Sequence, residues 1–260
     1  MIKALFFDID GTLVSFKSHE IPESTVRALE KAKENGIRIY ISTGRPIPFI
    51  TNIDQIKHLV DGYITTNGGY CFVGNSIVCI NAIPKNDVET LLELSDNCKF
   101  PVILVGQRKI TVVNTNPLVN EIFVENLKVH SDAMGDSLEE VLAEPILQAT
   151  AFLGAEEQQI VMSRLAGCIS GRWHQDFTDI TSTYADKGKG LQAIAAHEDL
   201  LLSNCMAFGD GGNDISIIKA AGVGVAMGNA GDDVKFVADY ITTSVDEDGI
   251  ANALKHYGVI

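Results

Sequence analysis

The chain has 260 residues, 46% apolar and 21% charged, which is enough for one large domain or two smaller ones with a real core. Its net charge of −14, from 20 basic and 34 acidic residues, argues against a nucleic-acid binder, which needs a basic face for phosphates. There is no transmembrane-length apolar run and no signal-peptide pattern. The five cysteines form no C-x-x-C pair and the six histidines are scattered, so a cytoplasmic protein without a disulfide frame or zinc is expected.

In chain order, Ile2 to Ile9 reads as a strand ending in Asp8-Ile9-Asp10-Gly11-Thr12. Pro22 opens a helix with Val26, Leu29 and Ala32 on one face, and Gly36 stops it. Ile37 to Ile41 is a second strand, ending in Ser42-Thr43-Gly44-Arg45. Pro46 is expected to start a helical segment reaching about His58, and Tyr63 to Thr66 a short strand before Asn67-Gly68-Gly69. Cys71 and Cys79 flank a Gly74-Asn75 turn as buried strand residues.

Residues 82–185 change character, with hairpins expected at 101–105 with 110–113 and at 167–173 with 177–182. Helices are expected near 85–97, 117–126, 137–143 and 155–165, with Ser137 and Glu140 spaced as a capping box. The α/β rhythm then returns. A helix over 187–198 precedes strand Met206 to Phe208, which runs into Gly209-Asp210-Gly211-Gly212-Asn213-Asp214. A helix to Ala221, strand 223–226, helix 231–238, strand 240–242 and helix 248–256 complete the chain. The pattern predicts an α/β, doubly wound parallel-sheet (Rossmann-like) core over 1–81 and 186–260, with an α+β module inserted over 82–185.

Polar clusters sit at the strand ends, where open α/β sheets bind ligands. Asp8 and Asp10 share one face of a strand, and such adjacent carboxylates call for a neutralising group. A hard divalent cation suits them, although Asp and Gly also favour simple turns. Asp210 and Asp214 could complete a Mg²⁺ shell, and a helix cap at Asn213 or Asp214 is compatible with that. Thr43 and Gly44 offer a hydroxyl and backbone N–H groups to an anion. Lys187 lies at a helix start, where a fixed phosphate offsets the opposing helix dipole. Trp173, the only tryptophan, is expected to pack within the insert, with His174 facing solvent.

As an ordered set, D-x-D-G-T, the strand-end Thr43, Lys-Gly before a late helix, and G-D-x-x-N-D resemble the four motifs of haloacid dehalogenase (HAD) superfamily phosphatases. The insert after Thr66-Asn67-Gly68 resembles the large α+β (type C2B) cap of the Cof-type sugar phosphatases. The resemblance covers essentially the whole chain. It implies that Asp8 is the nucleophile, Asp10 the general acid/base, and Lys187 the charge balance on Asp8 and the transferring group; Lys187 rather than Lys189 fits because it precedes Leu191 by four residues. It further implies phosphate contacts from Thr43, Gly44, Arg45, Lys187 and Asn213. Mg²⁺ would be held by Asp8, the Asp10 carbonyl and Asp210, with Asp214 supporting them from behind. The expected substrate is a small phosphorylated metabolite, foremost a sugar phosphate, selected by the cap. A phosphotransferase or mutase of the same superfamily, or a non-catalytic phospho-ligand binder, remains open, as does the oligomeric state.

Overall fold

The computed structural model describes residues 1–127 and 129–260. The chain divides into two compact units: Met1–Arg45, Ile50–Cys79 and Asp186–Ile260 form the first, and Pro46–Phe49 with Ile80–Ala185 the second. Strands in chain order are β1 (Ala4–Phe7), β2 (Arg38–Ser42), β3 (Gly62–Thr65), β4 (Tyr70–Val73), β5 (Ser76–Ile80), β6 (Val102–Val105), β7 (Ile110–Val113), β8 (Gln148–Ala151), β9 (Cys168–His174), β10 (Phe177–Ser182), β11 (Cys205–Gly209), β12 (Val223–Ala226) and β13 (Tyr240–Ile241). Among the described residues, no helix is long and apolar enough to cross a membrane.

The sheet of the first unit has the order β13-β12-β11-β1-β2-β3-β4-β5. Its pairs from β13 to β3 are parallel, and β4 returns antiparallel to β3. The period-2 alternation of side chains explains why helices cover both faces. Leu5, Phe7, Ile39, Ile41, Met206 and Phe208 enter one cluster, with Ala28, Leu29 and Ala32 of helix Glu23–Glu34 and Leu254 of helix Gly249–His256. The intervening Ala4, Phe6, Tyr40, Cys205 and Ala207 enter another, with Leu191 and Ile194 of helix Lys187–His197 and Ile217 of helix Ile215–Ala220. Phe6 stacks on Tyr40 and Phe7 on Phe208, each pair with ring centroids 4.7 Å apart. Truncating such a fully buried ring to alanine costs about 3–5 kcal/mol.

This topology places the site. From β1 the chain builds β2 and β3 on one side and, after the insert, β11 to β13 on the other. The switch point therefore lies between β1 and β11, where open α/β sheets leave a crevice at the strand C-termini. The two strands run in register, Phe7 opposite Phe208, and Asp8 N–H donates to the Phe208 carbonyl at 3.1 Å. Asp8 and Asp210 thus leave the sheet side by side.

The second unit is an antiparallel sheet of order β7-β6-β8-β10-β9. One face packs Val102, Leu104, Ala149, Ala151 and Ile180 with Val88, Leu91, Val141 and Val161 of the helices. The other face contributes Ile103 and Val105 to a cluster rich in aromatics: Phe49, Phe123, Phe152 and Phe177. The expected capping box is present, with Glu140 N–H donating to Ser137 Oγ and Ser137 N–H to Glu140 Oε2.

Three local expectations need correction, and one strand lies outside them. The expected helix from Pro46 to His58 is two short 3-10 turns, Ile47–Phe49 and Lys57–Leu59. Pro46 and Pro48 lack N–H groups, and Ile47–Phe49 stays a single turn closed by Phe49 N–H on the Pro46 carbonyl at 2.9 Å. Residues 117–126 begin as a helical turn, Pro117–Val119, and continue as a π-helix, Asn120–Asn126. Strand β8 was not foreseen, because Gln-Ala-Thr-Ala has weak strand propensity and only its central place in the sheet makes it a strand. Trp173 is 59% exposed rather than packed away, with its edge on Phe177 and its indole N–H donating to Asp179 Oδ2 at 2.8 Å; His174 stacks on Phe177 instead of facing solvent alone.

Candidate active site

Asp8 follows β1, Thr43 follows β2, Asp210 follows β11, and Lys187 opens helix Lys187–His197. All lie in the first unit. Asp186 caps that helix by accepting from Lys189 N–H at 2.8 Å, which fixes where Lys187 begins its path inward.

Lys187 is 1% exposed, and its ammonium donates to Asp8 Oδ1 at 2.7 Å and to Asp214 Oδ1 at 2.6 Å. Burial alone pushes an amine toward neutrality, but the charges of Asp214 and Asp8 more than offset it, so the ammonium is held well above its ordinary value. Asp214 is equally buried, and its Oδ2 accepts from the N–H groups of Asp210 and Gly211 at 3.1 and 3.0 Å. It braces the loop after β11 from behind.

Asp8, Asp210 and Asp214 each offer a carboxylate oxygen, all within 4.8 Å of one another. Burial, then the Asp214 charge, pushes the Asp8 carboxyl well up, with Lys187 opposing. Burial pushes Asp210 up to about 6, partly offset by the Thr12 hydroxyl, which donates to Asp210 Oδ1 at 2.8 Å. Three carboxyl groups facing one ammonium carry a formal excess of two negative charges when all are ionised, which burial of Asp8 and Asp214 resists. A divalent cation with a preference for oxygen fits that deficit and that donor set.

Asp10 is absent from this group. Its two carboxylate oxygens accept from Arg45, from Nε at 2.8 Å and from Nη2 at 2.7 Å. Its backbone remains beside the cluster, since Gly11 follows at φ +85° and a Cβ there would lie 2.2 Å from Asp210 Oδ2. Arg45 therefore contacts the acid/base candidate directly, a pairing its position beside Thr43 did not announce.

Thr43 is 1% exposed; its N–H donates to the Ile64 carbonyl at 2.8 Å and its Oγ1 accepts from Arg45 N–H at 3.1 Å. Gly44 adjoins Asn67, whose amide nitrogen would lie 3.1 Å from a Cβ at position 44. Asn213 is exposed, and its amide donates to Asn67 Oδ1 at 3.0 Å. Asn67 thus links the Thr43–Gly44 turn to the loop after β11. It sits in three successive left-handed residues, Thr66 (φ 49°), Asn67 (φ 54°) and Gly68 (φ 93°). For a β-branched residue such as Thr66 that conformation costs about 1–2 kcal/mol, so surrounding contacts must hold it.

Sequence reasoning gave no role to Thr12, Asn67 or Asn229. Asn229 follows β12, donates to the Gly11 carbonyl at 2.8 Å and to Asp210 Oδ2 at 3.4 Å, and accepts from Val245 N–H at 2.9 Å. The signal was available: Gly228-Asn229 is a turn dipeptide at a strand C-terminus, like the other clusters. In the second unit, Arg172 is used as a brace, donating to Gln158 Oε1 and to the carbonyls of Leu153 and Gln175.

Comparison with known proteins places the chain in a family. The family model of haloacid dehalogenase-like hydrolases matches residues 5–254. A Bacillus subtilis (strain 168) protein named "Putative phosphatase YkrA" is 32% identical, over 99% of this chain and 98% of its own length. The solved structure of the HAD subclass IIB sugar phosphatase BT4131 is 45% identical, covers 99% of this chain and 100% of its own, and superposes with a TM-score of 0.90. That of BT1666, a HAD-superfamily phosphatase from Bacteroides thetaiotaomicron, is 38% identical, covers 100% and 96%, and gives 0.87. With its strand-end carboxylates, buried lysine and inserted α+β unit, the chain belongs to the haloacid dehalogenase-like hydrolases and is a Cof-type phosphatase.

Proposed function

We propose that this phosphatase is Mg²⁺-dependent and hydrolyses small phosphorylated metabolites, foremost sugar phosphates, through an aspartyl-phosphate on Asp8. The observation that supports it most is the cluster of Asp8, Asp210 and Asp214, whose formal charge exceeds that of Lys187 by two. Asp8, Asp210 and the Asp10 carbonyl would hold Mg²⁺, with Asp214 behind them. Mg²⁺ bound there supplies positive charge to the Asp8 carboxylate and the phosphoryl oxygens, allowing two anions to approach.

The chain's own residues do the rest. An Asp8 oxygen attacks phosphorus in line as the ester oxygen leaves, and Asp10 gives that oxygen its proton. Water then attacks the phosphorus of the aspartyl-phosphate, Asp10 takes the water's proton, and the P–O bond to Asp8 breaks to release inorganic phosphate. Lys187 neutralises Asp8 throughout, while Thr43, Gly44, Arg45 and Asn213 position the phosphoryl group. Arg45 occupies one lone pair on each Asp10 oxygen and leaves the other for the proton, while its fork holds the plane of the carboxyl group. The inserted unit is the substrate-selecting cap in this reading. The sugar class rests on the 45% identity to the sugar phosphatase BT4131.

A screen of phosphorylated sugars, nucleotides and cofactors tests the proposal. Phosphate release that needs Mg²⁺ and is fastest with sugar phosphates is expected. No release from any ester with Mg²⁺ present overturns it, and an isomerised phosphosugar in place of free phosphate assigns the chain to phosphotransfer.

A further inference from the structure

We infer that Asn229 is a positioning residue for the cation site, fixing Asp210 and the Gly11 backbone relative to one another. The inference rests on the Mg²⁺ reading above and adds to it a residue outside the strand-end motifs.

The side chain is fully committed. Its amide nitrogen faces two oxygens, the Gly11 carbonyl at 2.8 Å and Asp210 Oδ2 at 3.4 Å, while its amide oxygen faces Val245 N–H at 2.9 Å. Only one orientation of the amide satisfies all three contacts. The supporting loop is itself anchored, with Met227 N–H donating to the Gly209 carbonyl and Gly228 N–H to the Thr243 carbonyl, both at 3.0 Å.

Asn229 therefore joins three segments distant in sequence: the loop after β1, the loop after β11, and the turn at residues 243–245. The two carboxylate oxygens of Asp210 are steered from opposite sides, Oδ1 by Thr12 and Oδ2 by Asn229. Each oxygen keeps a lone pair for a ligand bond. The Gly11 carbonyl belongs to the peptide immediately after the Asp10–Gly11 peptide, whose own carbonyl is the backbone ligand candidate. Holding Gly11 at its left-handed φ of +85° thus sets the direction of the Asp10 carbonyl. Partners that orient metal ligands in this way typically change affinity 10–100-fold when removed.

The test is a Mg²⁺ titration of wild type and Asn229→Ala by thermal shift, with the metal-free melting temperature recorded for each. Asn229→Ser, a small polar turn residue whose hydroxyl is too short to replace the amide contacts, serves as the second variant should the alanine variant fold poorly. The expected result is a Mg²⁺ concentration for half-maximal stabilisation raised about tenfold in the variants. An unchanged Mg²⁺ midpoint overturns the inference, whether or not the metal-free melting temperature falls, because a purely structural asparagine gives that result. A wild type with no Mg²⁺ response overturns the Mg²⁺ reading itself, whereas a responsive wild type with equally responsive variants overturns only the role of Asn229.

Discussion

Arg45 holds both carboxylate oxygens of Asp10 in a two-pronged contact, at 2.8 and 2.7 Å. Such a fork fixes the plane of the carboxylate, which a lysine at the same place cannot do. Arg45→Ala is predicted to lower kcat at least about tenfold on an alkyl phosphate, short of the roughly 10²–10⁴-fold that a general acid/base group itself contributes. The loss is predicted to be smaller with p-nitrophenyl phosphate, whose leaving group needs little protonation. Arg45→Lys is expected to recover only part of kcat. Steady-state kinetics with both substrates checks this, and equal losses on the two would contradict the orienting role.

Lys187→Met keeps most of the side-chain volume but removes the ammonium between Asp8 and Asp214. Breaking one side of a buried ion pair costs about 3–5 kcal/mol. A loss of that size is predicted in urea unfolding at pH 7.5 without Mg²⁺. It should shrink at pH 5, where protonation relieves the stranded carboxylates.

On the proposed Mg²⁺ reading, proton and metal compete for the same oxygens. Asp210 titrates at about 6 in the metal-free fold, above the ordinary carboxylate range, and Asp8 is displaced in the same direction. A carboxyl whose folded value is raised binds its proton more tightly in the folded state. Its stabilising protonation is complete below the unfolded value and is lost as pH rises through about 6. Mg²⁺ must displace that proton, so its apparent affinity falls as pH drops below about 6. The Mg²⁺-induced rise in melting temperature is therefore predicted to be larger at pH 7.5 than at pH 5.5 at equal, subsaturating Mg²⁺.

Gly68→Ala tests the turn that seats Asn67. Position 68 has φ +93°, and an added Cβ would lie 2.3 Å from the Asp186 carbonyl oxygen, directly before Lys187. Strain and displacement together are predicted to cost at least about 1–3 kcal/mol. Chemical denaturation of the variant measures it, and turnover is expected to fall as well because Asp186 begins the lysine's helix.

Much of this was legible in the sequence because each motif is local. Asp8 and Asp10, Thr43, and Asp210 with Asp214 each follow an apolar strand, and the topology rule for strand ends brings them together. The grip of Arg45 on Asp10 was not legible, since nothing within the 35 residues separating them encodes it. Asn229 was missed for a similar reason: its partners Gly11 and Asp210 lie 218 and 19 residues away, and it resembles any turn asparagine. Strand β8 was hidden by its composition, because pairing with β6 and β10, not propensity, defines it. The attachment of Pro46–Phe49 to the second unit depends on Phe49 joining the Phe123 cluster, a contact that periodicity cannot reveal.

Asp8, neutralised by Lys187 and Mg²⁺, is the proposed phosphoryl acceptor. Initial rates of p-nitrophenyl phosphate hydrolysis by wild type and Asp8→Asn, each with Mg²⁺ and with EDTA, test it most directly. The prediction is turnover only in wild type with Mg²⁺, while Asp8→Asn folds normally because it removes a charge the buried site already disfavours. Mg²⁺-dependent turnover retained by well-folded Asp8→Asn would contradict the account.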